Sequence, residues 1–229
     1  MKILYNYTTR SRPELFKRGL ASIIDNSEST DYRIQVSIDE DDPTMNNEAM
    51  WINMENTPRV TMKVGKSKNK IDAINRDVNS CLYDWGLIVN QSDDMIFTKK
   101  GFDDIIRWAF LKEEGAIDLD QCLHFSDGNR NDLITMAIMG REYYDRFGYI
   151  YHPDYKSLWC DNEMTEVAKQ LGCYKFIDVD ILKHLHPAYA QNNATFDKQY
   201  QHTESFSRVD EETFKRRSAI NFDLNIDSL

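Results

Sequence analysis

Apolar and polar positions along the first half of the chain switch repeatedly between two periods. Lys2 to Tyr7 is a short β-rich run that breaks off in Thr8-Thr9-Arg10-Ser11-Arg12. Pro13 follows, where a first helical turn tolerates it, and Leu15, Phe16, Leu20, Ile23 and Ile24 recur at helical spacing. Tyr32 to Ile38 alternates as a strand and runs into Asp39-Glu40-Asp41-Asp42-Pro43. Val60 to Val64 is a further short strand, and Ile71, Ile74, Val78 and Leu82 mark a helix face. Gly86 to Asn90 is an apolar strand ending at Gln91-Ser92-Asp93-Asp94, and Phe102, Ile105, Ile106, Ala109 and Phe110 form the next helix. Strands alternating with helices predict a mostly parallel sheet covered on both faces. In such sheets ligands bind beyond the carboxyl ends of the strands. The polar clusters at Thr8–Arg12, Asp39–Asp42 and Ser92–Asp94 should therefore meet at one edge.

The second half is less regular. Cys122 to Phe125 and Ile134 to Met139 read as strands around a turn-rich loop, Ser126 to Asp132. Arg141 to Phe147 has the spacing of a short helix. An aromatic loop follows, with Phe147, Tyr149, Tyr151, His152, Tyr155 and Trp159. Asp161 or Asn162 is placed to cap a helix that runs through Leu171 and stops at Gly172. Tyr174–Ile177 and Ile181–Leu185 are strand-like. From about Tyr189 the chain turns polar, with a helix expected near Glu211–Arg217, and Phe206, Phe214 and Phe222 are available to dock this extension.

Composition narrows the classes. The 229 residues hold 28 Lys+Arg against 38 Asp+Glu, a formal net charge of −10. A hydrophobic share of 41% with 12% aromatics supports a packed core and excludes an acidic disordered chain. The acidic balance argues against a broad electrostatic grip on nucleic acid, although Lys99-Lys100 and Lys215-Arg216-Arg217 supply local positive charge. No apolar run reaches the length of a membrane span, and Met1 to Tyr7 is too short and polar to be a signal peptide. Cys81, Cys122, Cys160 and Cys173 form no Cys-x-x-Cys pair, so reduced thiols in a cytoplasmic protein are expected. Gly-rich nucleotide loops and a Gly-x-Ser-x-Gly elbow are absent, which disfavours kinase, nicotinamide and α/β-hydrolase chemistry.

Several clusters can carry chemistry. Ser92-Asp93-Asp94 closes an apolar strand, where carboxylates can hold a hard cation such as Mg²⁺ or Mn²⁺ against a diphosphate, or simply form an acidic turn. Asp39 ends the second strand, placed to accept from a base edge or to join an acidic loop. Lys66, Lys68, Lys70 and Arg76 lie near the start of the third helix, as phosphate partners or as a solvated face. His184 and His186 point to the same side of a strand, and either can ligate a metal through a neutral imidazole or serve as a structural hydrogen bonder. Asp161 and Glu163 begin a helix, as caps or as a general base.

Together these clusters resemble the GT-A glycosyltransferases, specifically the family 2-like nucleotide-diphospho-sugar transferases. Tyr7 to Pro13 looks like the nucleotide-binding first loop, and Val36 to Asp42 like the strand carrying the base-reading acid. Lys70 to Arg76 resembles the helix lining the nucleotide pocket, and Ile88 to Met95 the Asp-x-Asp segment. Trp159 to Met164 falls where the family places its catalytic acid, and His184 to Pro187 resembles the histidine that completes the metal site. Two departures stand out. Ser92 stands where a strict Asp-x-Asp has an acid, and Asp161-Asn162-Glu163 replaces Glu-Asp, leaving the base open between Asp161 and Glu163, with Asp127 as a third candidate.

The resemblance covers roughly Met1 to Pro187. It implies an α/β, Rossmann-like GT-A domain over residues 1–188, with a nucleotide half to about 115 and an acceptor half from 116, followed by a polar extension, 189–229. It implies transfer of a sugar from a UDP- or GDP-sugar to an acceptor hydroxyl, with inversion. Thr8, Arg10, Asp39, Lys70, Asn75, Ser92 and Asp93 would bind the donor, and Asp94 and His186 would hold Mn²⁺ or Mg²⁺. Asp161 or Glu163 would be the base, with Asp127, Tyr155 and Trp159 on the acceptor side beside Tyr151. The acceptor is a glycan, a protein or a modified nucleobase, since a lipid acceptor usually calls for an anchor that is not visible. Two rival functions share such a fold: a sugar-phosphate nucleotidyltransferase, and a non-catalytic carbohydrate-binding or assembly protein.

Overall fold

The structure is a computed structural model that describes residues 1–189 and 195–224. Within the extension expected from residue 189, residues 190–194 and 225–229 lie outside the described residues. The predicted βα alternation forms as β1 (Ile3–Thr8), α1 (Pro13–Asn26), β2 (Tyr32–Asp39), α2 (Glu48–Glu55), β3 (Val60–Gly65), α3 (Lys70–Arg76) and β4 (Leu87–Gln91). The chain continues through β5 (Met95–Phe97), α4 (Phe102–Ala109), β6 (Cys122–Phe125), β7 (Ile138–Gly140), α5 (Arg141–Phe147) and α6 (Cys160–Gln170). It closes with β8 (Tyr174–Ile177), β9 (Leu182–His184), α7 (Lys198–Glu204) and α8 (Ser207–Ala219).

Seven strands share one sheet in the order β3-β2-β1-β4-β7-β6-β8. The β3-β2-β1-β4 block is parallel, β7 runs antiparallel to both β4 and β6, and β8 is parallel to β6. A separate antiparallel ribbon pairs β5 with β9 and sets Met95 opposite His184. Both sheet faces are covered, as the period of two requires. Ile3, Tyr5 and Tyr7 pack with Phe16, Leu20, Ile23, Phe97 and Phe102, while Leu4 and Ile88 pack with Ile71, Ile74, Met139 and Tyr144. Helix α1 lies close over β1: a Cβ on Gly19 would stand 2.2 Å from the Tyr7 hydroxyl, so no larger residue fits there.

Three expectations are corrected. The helix face expected to run to Leu82 ends at Arg76, and Leu82 is fully solvent-exposed. Only Ile138–Gly140 of the strand read from Ile134 pairs with a neighbour. Helix α6 begins at Cys160, one residue before the expected cap, after Trp159 in the left-handed region at φ 62°. The polar extension is packed rather than loose: Phe214 lies 5.5 Å from Trp159 and 5.7 Å from Phe222, ring centre to ring centre. Among the described residues no helix is long and apolar enough to cross a membrane.

Candidate active site

The three polar strand ends do converge. They wall a cavity of about 540 Å³, together with the first turns of α3 and α6 and the inner side of α7. Thr8, Arg10, Asp39, Lys70, Ser92, Asp93, Asp94, Asp161 and His186 all line it. Five cavity-lining residues carry a buried polar atom with no partner among the described residues: Thr8 Oγ1, Ser37 Oγ, Gln91 Oε1, Asp93 Oδ1 and Ser157 Oγ. Buried polar atoms are almost always paired, so this cluster marks a surface shaped for a polar ligand.

The two acids after β4 have different surroundings. Asp93 accepts from Thr9 Oγ1 at 3.1 Å through Oδ2, while its Oδ1 has no partner among the described residues. Burial outweighs these contacts and pushes its carboxyl up to about 7. Asp94 is saturated instead. Ser92 Oγ donates to Oδ1 at 2.6 Å, Tyr200 Oη donates to Oδ2 at 2.8 Å, and His184 Nε2 lies 3.4 Å from Oδ2. Burial works against its charge, but His184 and Ser92 prevail and hold the carboxyl far below the usual range. The other ring nitrogen of His184 lies 3.1 Å from Asp127 Oδ2. Burial opposes a charged His184, yet Asp127 and Asp94 lift it to about 9. The side chain on Asp94 is therefore His184, whereas the sequence favoured His186. The two rings are 5.5 Å apart, and His186 stacks edge-on to Tyr200 at 4.8 Å.

At the carboxyl end of β2, Asp39 sits between two guanidiniums, Arg10 Nη1 at 2.8 Å and Arg76 Nη1 at 3.2 Å. Arg76 is fixed in turn by Ile38 O, Ser67 Oγ and Asp77. Arg12, which also lines the cavity, makes a two-pronged pair with Asp197 at 2.9 and 2.7 Å and lies 3.9 Å over the Tyr200 ring. On the opposite wall Asp161 occupies the first turn of α6, with Asn162 N its hydrogen-bond donor at 3.0 Å. Burial raises its pKa against the pull of that bond and of Lys70.

Five expected site residues lie off the cavity, each for an identifiable reason. Glu163 is 4% exposed and bound on both oxygens by Arg217, with the Tyr155 hydroxyl donating to it at 2.7 Å. That contact also occupies Tyr155, which is completely buried. Trp159 packs on Phe214. Asn75 clamps the aromatic loop, donating to Tyr151 O at 2.7 Å and accepting from Ile150 N at 3.0 Å. Asp127 is buried and orients His184, accepting as well from Asn129 N, Arg130 N and Thr135 Oγ1. Arg12, Tyr200 and Asp210 are not marked as site residues by their sequence context, and Arg76 is marked only as a phosphate partner or part of a solvated face. The hydrogen-bond partners of the first three side chains lie 52 to 185 residues away, so no local pattern carries the signal.

Among the described residues no group of three or more His, Cys, Asp or Glu side chains is arranged to hold a metal by itself. The donor set still suits a hard cation. Such ions are often held by one or two carboxylates and complete their shell with phosphate oxygens and water.

No protein-family model and no curated protein matches the chain. Solved structures do. The mannosyltransferase PcManGT of Pyrobaculum calidifontis, in complex with GDP-Man and Mn²⁺, aligns with a TM-score of 0.61 at 14% identity, over 78% of this chain and 54% of that one. Residues 1–349 of S. aureus TarS, in complex with UDP-GlcNAc, align at 0.60 and 14% identity over 99% and 77% of the two chains. The Drosophila β-1,4-galactosyltransferase 7, with manganese, UDP-Gal and xylobiose, aligns at 0.51 and 12% identity over 89% and 79%. The fold is thus the GT-A fold of these glycosyltransferases, with the mostly parallel central sheet that the sequence implied. The chain spans about half the length of the mannosyltransferase it matches.

Proposed function

We propose that this chain is a metal-dependent glycosyltransferase that moves a sugar from a nucleoside-diphosphate sugar to an acceptor hydroxyl. The observation that carries this reading is the cavity itself: on a GT-A fold, the strand-end acids and five residues with an unpartnered buried polar atom line one space. About 540 Å³ is the size of a single small-ligand site.

Asp39 and the Thr8 backbone hold the base, with Asp39 kept in place by Arg10 and Arg76. Asp93, with its open Oδ1, accepts from a donor hydroxyl, and Lys70 neutralises phosphate charge. Asp94, with His184 and His186 beside it, would hold Mn²⁺ or Mg²⁺, and the cation would supply positive charge to stabilise a departing diphosphate. Asp161 takes the proton of the acceptor hydroxyl. The acceptor oxygen bonds to the anomeric carbon from the face opposite the leaving group, the anomeric C–O bond to phosphate breaks, and the nucleoside diphosphate departs with inversion. Among the acids weighed as base, Asp161 alone lines the cavity, because Glu163 is spent on Arg217 and Asp127 on His184. UDP- or GDP-sugars are the proposed donors, and a glycan, protein or modified nucleobase the acceptor, in the cytoplasm. Because α7 walls the cavity, α7 of the 189–229 extension works with the 1–188 domain to form the site.

The test is calorimetric titration of UDP and GDP, each with and without Mn²⁺. One nucleotide should bind tightly only with Mn²⁺, and Asp94→Ala should remove that dependence. No binding of UDP, GDP, CDP or dTDP overturns the proposal, while binding of a nucleoside triphosphate with pyrophosphate release from a sugar phosphate favours a nucleotidyltransferase. Tyr200 gives a second expected result. Its hydroxyl competes for the carboxylate oxygen that a cation needs, so Tyr200→Phe should tighten binding of Mn²⁺ alone by about tenfold, the worth of one charge-assisted hydrogen bond. Electron paramagnetic resonance of free Mn²⁺ reads this directly, and unchanged or weaker binding counts against Tyr200 as a competitor.

A further inference from the structure

Asp210 has no role in the chemistry above, yet it is a completely buried carboxylate on the C-terminal helix α8. A buried charge is costly unless hydrogen bonds saturate it. Its donors are three consecutive backbone N–H groups: Lys156 to Oδ1 at 2.9 Å, and Ser157 and Leu158 to Oδ2 at 2.8 Å each. The segment it grips leads straight into the candidate site. Ser157 and Leu158 line the cavity, Ser157 Oγ is one of the unpartnered atoms, and Trp159 follows in the left-handed region at φ 62°. A bulky residue there is strained and persists only where its surroundings over-determine it. Cys160 and Asp161 come next, on the first turn of α6.

The same helix takes hold again beyond Asp161. Arg217 is seven residues from Asp210, about two helical turns and so on the same face, and it binds Glu163 on both oxygens. Helix α8 thus holds residues 156–163 at both ends, by a carboxylate on backbone donors and a guanidinium on a carboxylate, with Asp161 between them.

We propose that Asp210 is a positioning residue: it fixes the left-handed turn at Trp159 and thereby aims Asp161 into the cavity. The inference rests on the reading of Asp161 as the base. It makes α8 part of the catalytic unit. An acid misplaced by about 1 Å can lose a hundredfold in rate while the donor still binds normally.

The experiment follows Mn²⁺-dependent hydrolysis of UDP-glucose, UDP-GlcNAc, UDP-galactose and GDP-mannose, with water as the acceptor, and uses whichever donor the full chain turns over fastest. Asp210→Asn keeps the shape but removes the charge and sets an amide N–H₂ against at least one of the three donors. Its kcat should fall about ten- to a hundredfold with KM for the donor unchanged. Combined with Asp161→Asn it should be no slower than Asp161→Asn alone, since a positioning residue has nothing left to aim. A merely structural role would lower both variants' yield of folded protein and multiply through the double variant. Should Asp210→Asn not fold, Asp210→Glu, which keeps the charge but moves it by one methylene, is read in the same way. Normal kcat in the Asp210 variant, or full multiplicative loss with Asp161→Asn, overturns the inference. If Asp161→Asn hydrolyses donor as fast as the unmodified chain, the base assignment itself fails. If no donor is hydrolysed at all, the transferase reading fails and this inference with it.

Discussion

Replacing Asp161 with Asn is expected to slow sugar transfer by about 10²–10⁴-fold, the usual worth of a general base, while donor affinity stays as it was. Asp161 lines the cavity opposite the strand-end acids and spends only one hydrogen bond on the backbone, that from Asn162 N. Burial raises its pKa, which makes it a stronger base than a free carboxylate. The sign of the pH dependence follows. A raised pKa keeps the acid protonated to higher pH, so activity is lost as pH falls through that value, and the Asn variant should show no such acidic limb. Stability runs the other way. The folded chain binds this proton more tightly than the unfolded chain, so ionising Asp161 costs stability as pH rises from the ordinary carboxylate range through the raised pKa. At neutral pH, Asp161→Asn should therefore melt no lower than the unmodified chain. An ordinary helix cap would behave in the opposite way and lose about 1 kcal/mol. A variant that melts lower and still transfers sugar at the normal rate would return Asp161 to the role of a cap.

The elements legible in the sequence are those whose burial is simple. β1, β2 and β4 lie inside the mostly parallel sheet: β1 and β4 read as short apolar runs with polar ends, and β2 as a strict alternation ending at Asp39. Elements with no such run escaped. Helix α2 buries only Met50 and Met54, α7 buries only Tyr200, and β5 has three residues. The site shows the same limit. Asp161 and Glu163 are both acids on one turn, and type alone does not separate them. Two positions along a helix turn the side chain about 200°, so one acid faces the cavity and the other faces α8. The choice depends on where α8 packs, which is tertiary information. β9 ends at His184, so His186 lies beyond the strand rather than on its side, and the pairing of β9 with β5 brings His184 to Asp94. Tyr200 reaches Asp94 across 106 residues and Asp210 reaches Ser157 across 53, distances over which a single sequence holds no periodic signal.

The largest stability effect is expected at the Glu163–Arg217 pair. Both side chains are nearly sealed from water, 5% and 3% exposed, and the guanidinium also meets Asp223 at 2.9 Å. Removing one partner strands the other charge in a site that cannot hydrate it, which typically costs about 3–5 kcal/mol. Arg217→Met should therefore lower the urea midpoint by a corresponding amount with little change in slope. Glu163→Gln placed on top of it should recover most of the loss. The amide removes the stranded charge yet still accepts from the Tyr155 hydroxyl, which would otherwise be orphaned. Recovery in the double variant separates a penalty for an unpaired charge from a loss of packing by the arginine stem, since lost packing would remain. If Arg217→Met unfolds within about 1 kcal/mol of the unmodified chain, the pair is not sealed as described. Function should follow stability only in part. Weakening this anchor leaves Asp210 on Lys156, Ser157 and Leu158, so the fraction that stays folded should keep its turnover. Loss of turnover at unchanged folded fraction would instead make Arg217 a second positioning residue for Asp161.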